Sequence, residues 1–476
     1  MSSAAPPRAT RTWLALARRV AWVLALSGCA LTRPPSQDEV VQQALPKGTH
    51  IPPAWSSDGA AGGDVQSGWV KSFGDPGLES VVAESIANNL NLLQAAQSVE
   101  IARQSVVVVG AQLLPQVGAK LGAAYTADNQ PGGNFASYSA FAGASWEIDV
   151  WGRLRAQRAA AEAGFEATAL DYAFARQSLA ATTAKSWYIG VETRQLLALS
   201  EEAVRIYTEL LALVKVRRAA GKVTDLDVAE ASGNLNAAQS QLVAAQGLYI
   251  QARRNLELLL GRYPAAEIEV ALTFTGLPPP VQAGLPSALL NRRPDVVAAE
   301  RQVLQAFRVQ EAAKLALLPD FSLTLGGGYL SDQLLSLLGL NPWLVNAGIG
   351  MFVPIYTGGA LQAKIEIANA QQQQAVSRYG SIALTSFGEV ESALTNERLF
   401  AQRLGYDQKA ADDRTEAVRI ATLRYKAGAI DLLSVLVLQA TQLSSQADVI
   451  RLRGAQRVNR INLHLALGGD FESPSQ

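Results

Sequence analysis

Apolar residues recur with heptad spacing over two very long stretches of the chain, residues 152–261 and 359–467. In the first stretch, one such seam consists of Ile189, Leu196, Ala203 and Leu210. Sustained heptads are typical of α-helices that pack side by side in a left-handed supercoil. We therefore predict a helical hairpin over each stretch. The first arm is expected to be roughly 100 Å long, because no proline lies between Gly152 and Gly221.

The two stretches are spaced alike. Gly152, Gly221 and Gly261 recur at one constant offset as Gly359, Gly428 and Gly468. A fixed offset between equivalent glycines indicates a duplicated architecture. We assign residues 78–285 to a first structural repeat, residues 286–469 to a second and residues 470–476 to a C-terminal tail. A local coiled-coil arm on a separate body is the alternative, but helices of this length suit the wall of a large assembly better.

Each repeat also contains two segments of about ten residues in which apolar side chains alternate with small or polar ones. These predicted strands are residues 116–126, 137–149, 320–330 and 343–355. The alternation is typical of transmembrane β-strands. Aromatic residues suited to a membrane interface lie near the strand ends, namely Tyr125, Trp146, Trp151, Tyr329, Trp343 and Tyr356. Two half-buried hairpins of a soluble domain would show the same pattern.

Four transmembrane strands raise the question of how the sheet closes. An open sheet edge is not tolerated in lipid. Known outer-membrane barrels need at least eight strands, which is more than one chain provides. The chain is therefore predicted to pool its strands with copies of itself, and closure alone leaves the number of copies open.

The N-terminus resembles the export signal of a bacterial lipoprotein. The basic residues Arg8, Arg11, Arg18 and Arg19 precede an apolar run at residues 20–26, which is too short to span a bilayer. Cys29 follows closely and is the only cysteine of the chain. We predict that residues 1–28 are a signal peptide, that Cys29 is lipidated and that residues 29–77 form an extended tether. A cysteine placed there by chance is the alternative.

The composition argues against several functional classes. The chain has 41 basic and 41 acidic residues, so nothing in its charge suggests nucleic acid as a partner. It has two histidines, and its sequence shows no cluster of metal ligands, no nucleophile elbow and no phosphate-binding loop. We predict no enzyme activity, no catalytic residues, no cofactor and no metal site. His464, near a helix C-terminus, is interpreted as a cap favoured by the helix dipole.

Five segments of the chain resemble the TolC-type outer-membrane efflux proteins, in the lipoprotein branch typified by OprM and NodT. They are GWVKSFGDP at 68–76, WEIDVWGRLR at 146–155, RRPDV at 292–296, VPIYTGG at 353–359 and LALGG at 465–469. The resemblance implies a mainly α fold with a transmembrane β part. In that fold a homotrimer forms a twelve-stranded β-barrel, which continues into a twelve-helix α-barrel with a mixed equatorial domain.

The resemblance also implies a function and partners. The function is that of a passive exit duct of a tripartite export or multidrug efflux system, lipid-anchored in the outer membrane and extending into the periplasm. The partners are a periplasmic adaptor (membrane fusion protein), an inner-membrane transporter of the RND type and outer-membrane lipid. A lipid-anchored structural or adhesive coiled-coil protein is the alternative, which would explain the helices but not the four strands.

In that family the hairpin turns form the periplasmic tip and meet the adaptor. The resemblance carries this role to Arg218, Gly221, Lys222, Lys426, Gly428 and Ala429. Family members commonly carry acids six and nine residues after the second tip glycine, where they ring the closed pore. Ser434 and Val437 occupy these positions here, and the first repeat has Asp227 and Glu230 instead. We expect a periplasmic gate at these four residues and Leu433, with an apolar plug of Leu433 and Val437 replacing the acidic ring.

Overall fold

The structure of the chain, a computed structural model, describes residues 32–57, 63–127, 135–332 and 343–472. The predicted signal peptide and the lipidation candidate Cys29 lie outside the described residues, as does the end of the C-terminal tail. No helix in the described part of the chain combines the length and the hydropathy that a membrane span requires.

The elements follow the same order in both halves of the chain, namely helix, strand pair and helical hairpin. The first half contains α1 (Gln37–Ala44), α2 (Trp69–Ser72), α3 (Pro76–Asn88), α4 (Leu90–Gly110), β1 (Gln116–Thr126), β2 (Phe135–Ile148), α5 (Arg153–Ala219) and α6 (Asp225–Leu259). The second half contains α7 (Pro286–Arg292), α8 (Pro294–Leu315), β3 (Asp320–Ser331), β4 (Leu344–Phe352), α9 (Ala360–Lys426) and α10 (Leu432–Ala466). A short 3₁₀ turn, Ala111–Leu113, precedes β1.

The two helical hairpins have equal arms. Helices α5 and α9 each contain 67 residues, and α6 and α10 each contain 35. Helices of this length form because their sequences contain no proline and keep an apolar seam in heptad register. The duplicated helical hairpins inferred from the glycine offset are therefore present in the fold.

The strands form one antiparallel sheet in the order β1-β2-β3-β4. Ala140 of β2 pairs with Leu121 on one side and with Tyr329 on the other. Gly328 of β3 is required by the packing, because a Cβ atom there would clash with the carbonyl oxygen of Ala140. The strand β4 ends at Phe352, earlier than the expected 343–355. Pro354 has no N–H group to continue the ladder.

The segment that joins β2 to α5 is fixed by its own side chains. Asp149 accepts hydrogen bonds from the backbone N–H groups of Leu154 (3.1 Å) and Arg155 (2.9 Å) and so caps α5. Trp151 Nε1 donates to the carbonyl oxygen of Pro319 (2.9 Å), at the start of β3. Arg153 forms an ion pair with Glu147 at 2.5 Å. This local network explains the residue types in the WEIDVWGRLR segment.

The chain folds into two compact units, and each repeat contributes to both. One unit comprises residues up to Lys47, Ser98–Ala169 and Ala298–Ser381, and it includes the four-stranded sheet. The other comprises Gly48–Gln97, Leu170–Val297 and Ile382–Gln476, and it includes both hairpin turns. The candidate site lies entirely in this second unit.

The second unit has an aromatic core that holds the segment before α3. Trp69 and Phe73 are buried there with Tyr188, and the Phe73 and Tyr188 ring centroids are 5.5 Å apart. Asp75 caps α3 through Leu78 N (3.1 Å) and accepts a hydrogen bond from Trp187 Nε1 (2.9 Å). The contacts explain why the GWVKSFGDP segment is rich in aromatic and capping residues.

Two buried arginines of α10 hold the irregular segment 274–279. Arg460 donates to the carbonyl oxygen of Pro278 (2.5 Å) and is paired with Glu397. Arg457 donates to the carbonyl oxygen of Thr275, and its guanidinium lies 4.4 Å from the centroid of the Phe274 ring. Burial lowers the pKa of Arg457 to about 10. Heptad spacing alone gives no indication of these contacts.

The interpretation of His464 as a charged helix cap is wrong. His464 is buried, and its ring is stacked on Trp69 with centroids 5.7 Å apart. Burial, together with the positive charge of Arg460, lowers the pKa of His464 to about 3. The imidazole is therefore neutral at physiological pH and contributes packing instead of charge at the end of α10.

Candidate functional site: the tips of the helical hairpins

Both hairpin turns use a glycine in the left-handed region. Gly221 has φ +69° and Gly428 has φ +80°, a conformation that residues with a Cβ atom rarely adopt. Lys222 N donates to the carbonyl oxygen of Arg217 (2.9 Å), and Ala429 N donates to that of Arg424 (2.9 Å). These bonds close the ends of α5 and α9 in the Schellman pattern. The two tips therefore have the same backbone design.

A carboxylate caps the return helix of each hairpin. Thr224 and Asp227 form a capping box on α6, in which Asp227 Oδ2 accepts from Thr224 N (2.8 Å) and Oγ1 (2.7 Å). The hydrogen bonds from Thr224 lower the pKa of Asp227. On α10, Asp431 accepts from Ser434 N (2.8 Å). Asp227 is thus engaged at the start of α6, whereas Ser434 is hydrogen-bonded to Asp431 at the start of α10.

Basic residues at the end of α5 have different partners. Arg218 forms a bidentate pair with Asp225, with N–O distances of 2.7 and 2.9 Å, within the first tip. Arg217 donates to the carbonyl oxygen of Tyr425 (2.7 Å) in the second hairpin, and its guanidinium lies 4.6 Å from the Tyr425 ring centroid. Arg217 therefore joins the two tips, a role that sequence analysis missed. Its position in the last turn of a long helix was the only available signal.

The start of α10 has one buried and one uncovered face. Leu432, Val435 and Leu436 are buried in a core with Tyr207, Val214 and Tyr425. Leu433 and Val437 lie on the other face, with exposed fractions of 57% and 53%, and Ser434 between them is exposed as well. The three gate candidates of the second repeat are therefore neighbours on one helix face. Asp227 and Glu230 are half-buried on α6.

The expected adaptor contacts lie on the outer surface of the two turns. Gly221, Lys222, Lys426, Gly428 and Ala429 are all exposed. Among the described residues, the side chains of Lys222 and Lys426 have no hydrogen-bond or ion-pair partner. The described part of the chain also contains no group of three or more His, Cys, Asp or Glu residues that could hold a metal ion. The tip therefore presents two free ammonium groups and short backbone turns.

Comparison with known proteins identifies the class to which this fold belongs. The profile described as outer membrane efflux protein matches residues 81–262 and 285–469. The chain belongs to the outer membrane efflux protein family. It is 31% identical over 451 residues to the pyoverdine export outer membrane protein OpmQ of Pseudomonas aeruginosa, covering 91% of this chain and 94% of OpmQ. It is 30% identical over 461 residues to the probable efflux pump outer membrane protein TtgC of Pseudomonas putida, covering 94% and 93%.

Solved structures give the same assignment. The open state of the MtrE outer membrane channel of Neisseria gonorrhoeae superposes with a TM-score of 0.82 at 25% identity, covering 94% of this chain and 100% of MtrE. A crystal structure of CusC superposes with a TM-score of 0.77 at 26% identity, covering 88% and 97%. The predicted resemblance and fold class are confirmed by these matches.

Family membership confirms the predicted function, an outer-membrane exit duct of a tripartite efflux system that extends into the periplasm. Family membership therefore rules out the alternative, a structural or adhesive coiled-coil protein. The family consists of channel proteins that form trimers and work with adaptor proteins and inner-membrane transporters.

Proposed function

We propose that three copies of this chain form one passive duct without enzyme activity. The observation that supports this proposal is the four-stranded sheet, whose edge strands β1 and β4 each have only one neighbouring strand among the described residues. Val117 on β1 and Ile349 on β4 are 81% and 80% exposed, as expected for side chains that meet lipid. Three such sheets close a twelve-stranded barrel, and the helical hairpins of three chains provide the twelve helices of the α-barrel.

The trimer proposal is tested on the purified full-length protein in detergent. We expect native mass spectrometry to show a trimer, because an open sheet edge in lipid leaves backbone groups unpaired at several kcal/mol each. The same preparation is expected to conduct in planar bilayers. A dominant monomer, or a trimer that never conducts, would contradict the proposal.

We also propose that residues 1–28 are removed and that Cys29 carries the lipid anchor, with residues 29–77 as the tether. The basic and apolar residues before the single cysteine support this. Cys29→Ser is expected to abolish incorporation of labelled fatty acid. The heat-modifiable trimer is expected to persist, because the transmembrane strands insert into the membrane without the lipid anchor. A mutant that still incorporates the label would count against Cys29, and loss of the trimer would show that folding depends on the anchor.

The gate, in our proposal, is the uncovered face of α10. Leu433, Ser434 and Val437 place apolar and neutral side chains where many family members have carboxylates. Asp227 and Glu230 lie on α6, and the family geometry, in which the helices of the first repeat form the outer side of the closed tip, has them add negative charge around the tip instead of inside the constriction. Closure then depends on packed apolar side chains and dewetting.

The exposed turns are proposed to receive the adaptor, and the inner-membrane partner is proposed to be an RND transporter. The free ammonium groups of Lys222 and Lys426 support this, because they are available to acids of a partner. The names of three relatives mention different cargoes, namely pyoverdine, toluene and cations. Because similar ducts serve such different cargoes, we expect the transporter to select the cargo.

Adaptor contact is tested with a photo-crosslinker attached to cysteines introduced at Lys222 or Ala429. Illumination of intact cells is expected to join both positions to a periplasmic adaptor, identified by mass spectrometry. Val243, which is exposed far from the turn on α6, serves as the matched control and is expected to give little product. Equal cross-linking at Val243 and at the turns would refute a contact specific to the tip.

A further inference from the structure

A buried ion pair lies on α8, in the unit that contains the sheet. Arg308 and Glu311 are about one helical turn apart, and 2.7 Å separates the guanidinium from the carboxylate. Their side chains are only 13% and 7% exposed, although both carry a charge. A buried ion pair is stabilising only if its remaining hydrogen-bonding atoms also have partners. The pair therefore needs a further polar group at this place.

Thr32, the first described residue of the chain, provides that group. Glu311 Oε1 accepts hydrogen bonds from the backbone N–H of Thr32 and from its hydroxyl (2.9 Å). Arg308 donates to the carbonyl oxygen of the same residue (3.1 Å). The two members of the ion pair thus bind both backbone groups of one residue. We call this arrangement of Thr32, Arg308 and Glu311 the N-terminal clamp.

A second contact holds the segment further along the chain. Val40 in the helix α1 is buried. At the end of α1, the carbonyl oxygen of Ala44 lies against Gly380 of α9, where a Cβ atom would clash with it. An isolated helix as short as α1 is marginal in water. The segment 32–44 therefore keeps its structure because it is attached at both of its ends.

The two contacts show in which direction this segment runs. Gln310, next to Glu311, donates to Asn369 of α9 (2.7 Å), so the clamp lies at the level of Asn369. The helix α9 follows the strand β4 and leads away from the sheet. Gly380 is about three helical turns further along α9 than Asn369, and therefore about 16 Å further from the sheet. From the end of α1 back to the clamp, the chain approaches the sheet.

Cys29 is close enough to the clamp for its position to be limited by it. At full extension, the three residues from Cys29 to Thr32 span about 10 Å. The clamp is about 14 Å from the start of α9, measured along that helix from Asn369 to Ala360. Cys29 can therefore reach the end of α8, within about one helical turn of the sheet. Leu317, between α8 and β3, is 40% exposed and offers an apolar surface there.

We propose that the N-terminal clamp is a binding site for the processed, lipid-bearing N-terminus of this chain, and that it places the lipid beside the start of β3. The inference rests on the proposed lipidation of Cys29. A loose tether lets the anchor move around the protein, whereas a clamped one fixes its position. The acyl chains then enter the membrane where the strands of the proposed barrel begin.

The clamp is tested by hydrogen exchange of the full-length protein in detergent, followed in the peptides that contain α1. Thr32→Pro removes the N–H group and the hydroxyl that Glu311 binds, and it leaves α8 intact. We expect the amides of α1 to exchange about tenfold faster in this variant, because the helix loses one of its two attachments. Glu311→Gln is expected to act in the same direction.

Two further variants serve as matched controls for hydrogen exchange. Thr32→Ser keeps every hydrogen bond of the clamp, because serine has the same backbone groups and a hydroxyl. Lys314→Gln changes an exposed residue of α8 outside the clamp. Both variants are expected to keep the wild-type protection of α1.

The direction of the N-terminus is tested by disulfide trapping in membranes. Glu311 and Lys314 share a face of α8, and Lys314 lies nearer the sheet. Leu31→Cys combined with Lys314→Cys is therefore expected to form a disulfide under mild oxidation. Leu31→Cys combined with Arg301→Cys is the control and should give little product, because Arg301 is about 15 Å from Glu311 in the opposite direction. Adding Thr32→Pro should lower the yield with Lys314→Cys.

Three results would overturn the proposal. Unchanged exchange of α1 in Thr32→Pro and Glu311→Gln would show that the clamp does not hold the segment. Equal disulfide yields with Lys314→Cys and Arg301→Cys would show that the N-terminus has no fixed direction. Loss of protection in Cys29→Ser would show that the lipid, and not the clamp, holds the segment. Incorporation of labelled fatty acid is measured on the same variants. A wild type that takes up no label but keeps α1 protected contradicts the proposed lipidation alone.

Discussion

Val437→Asp is expected to destabilise the closed tip and to raise the cation selectivity of the channel. In the proposed trimer the substitution places three carboxylates close together at the proposed constriction. Two like charges 4 Å apart repel by about 1 kcal/mol in water and by about 4 kcal/mol at an effective dielectric constant of 20. Because Val437 is on the uncovered face of α10, the carboxylate does not first disrupt the protomer core.

The measurement is single-channel recording of wild type and mutant, with and without a trivalent cation on the periplasmic side. The wild type is expected to be blocked weakly, and the mutant strongly, because a ring of carboxylates attracts the blocker. Val216→Asp is the matched control, since Val216 is also exposed near the tip but on α5. An apolar gate is ruled out if the wild type already binds the trivalent cation tightly and Val437→Asp changes neither block nor selectivity.

Among substitutions in α10 that leave the protein surface unchanged, Arg460→Met is expected to cause the largest loss of stability. The Arg460 side chain is buried, and it joins Glu397 to the backbone of Pro278. Removing one partner of a buried ion pair leaves the other charge uncompensated, at a typical cost of about 3–5 kcal/mol. The free energy of unfolding of the second unit should fall by roughly that amount, with the segment 274–279 released first.

The thermal midpoint of the detergent-solubilised protein, followed by tryptophan fluorescence, checks this expectation. Arg451→Met on the same helix is the matched control, because Arg451 is exposed and its pair with Asp448 (3.1 Å) is worth only about 0–1 kcal/mol. The double variant Arg460→Met with Glu397→Leu should recover much of the loss, since no charge is then left unpaired. Similar midpoints for Arg460→Met and Arg451→Met would show that the buried pair contributes nothing to stability.

The backbone plan of this protein is determined by local rules that a sequence displays directly. Heptad spacing, with no proline, predicts the long arms, and the constant glycine offset predicts their duplication. Period-two alternation predicts the strands, because side chains of a strand point to opposite faces in turn. The glycines of the two turns were predictable for the same reason, since a left-handed residue is needed wherever a long helix reverses tightly.

Contacts between residues distant in sequence were decided only by the tertiary structure. Arg217 and Arg218 are adjacent and chemically equal, yet one bonds across to Tyr425 and the other stays within its own turn. In the sequence, Leu432 and Leu433 are equally apolar neighbours. Only packing against Tyr207 and Val214 buries Leu432 and leaves Leu433 uncovered. His464 was misread because its pKa depends on burial, which the chain acquires only when Trp69 packs on it. The sequence determines where helices, strands and turns form. Burial and long-range partners arise only from how those elements pack. Burial and long-range partners in turn set the charges and the uncovered helix faces on which the site depends.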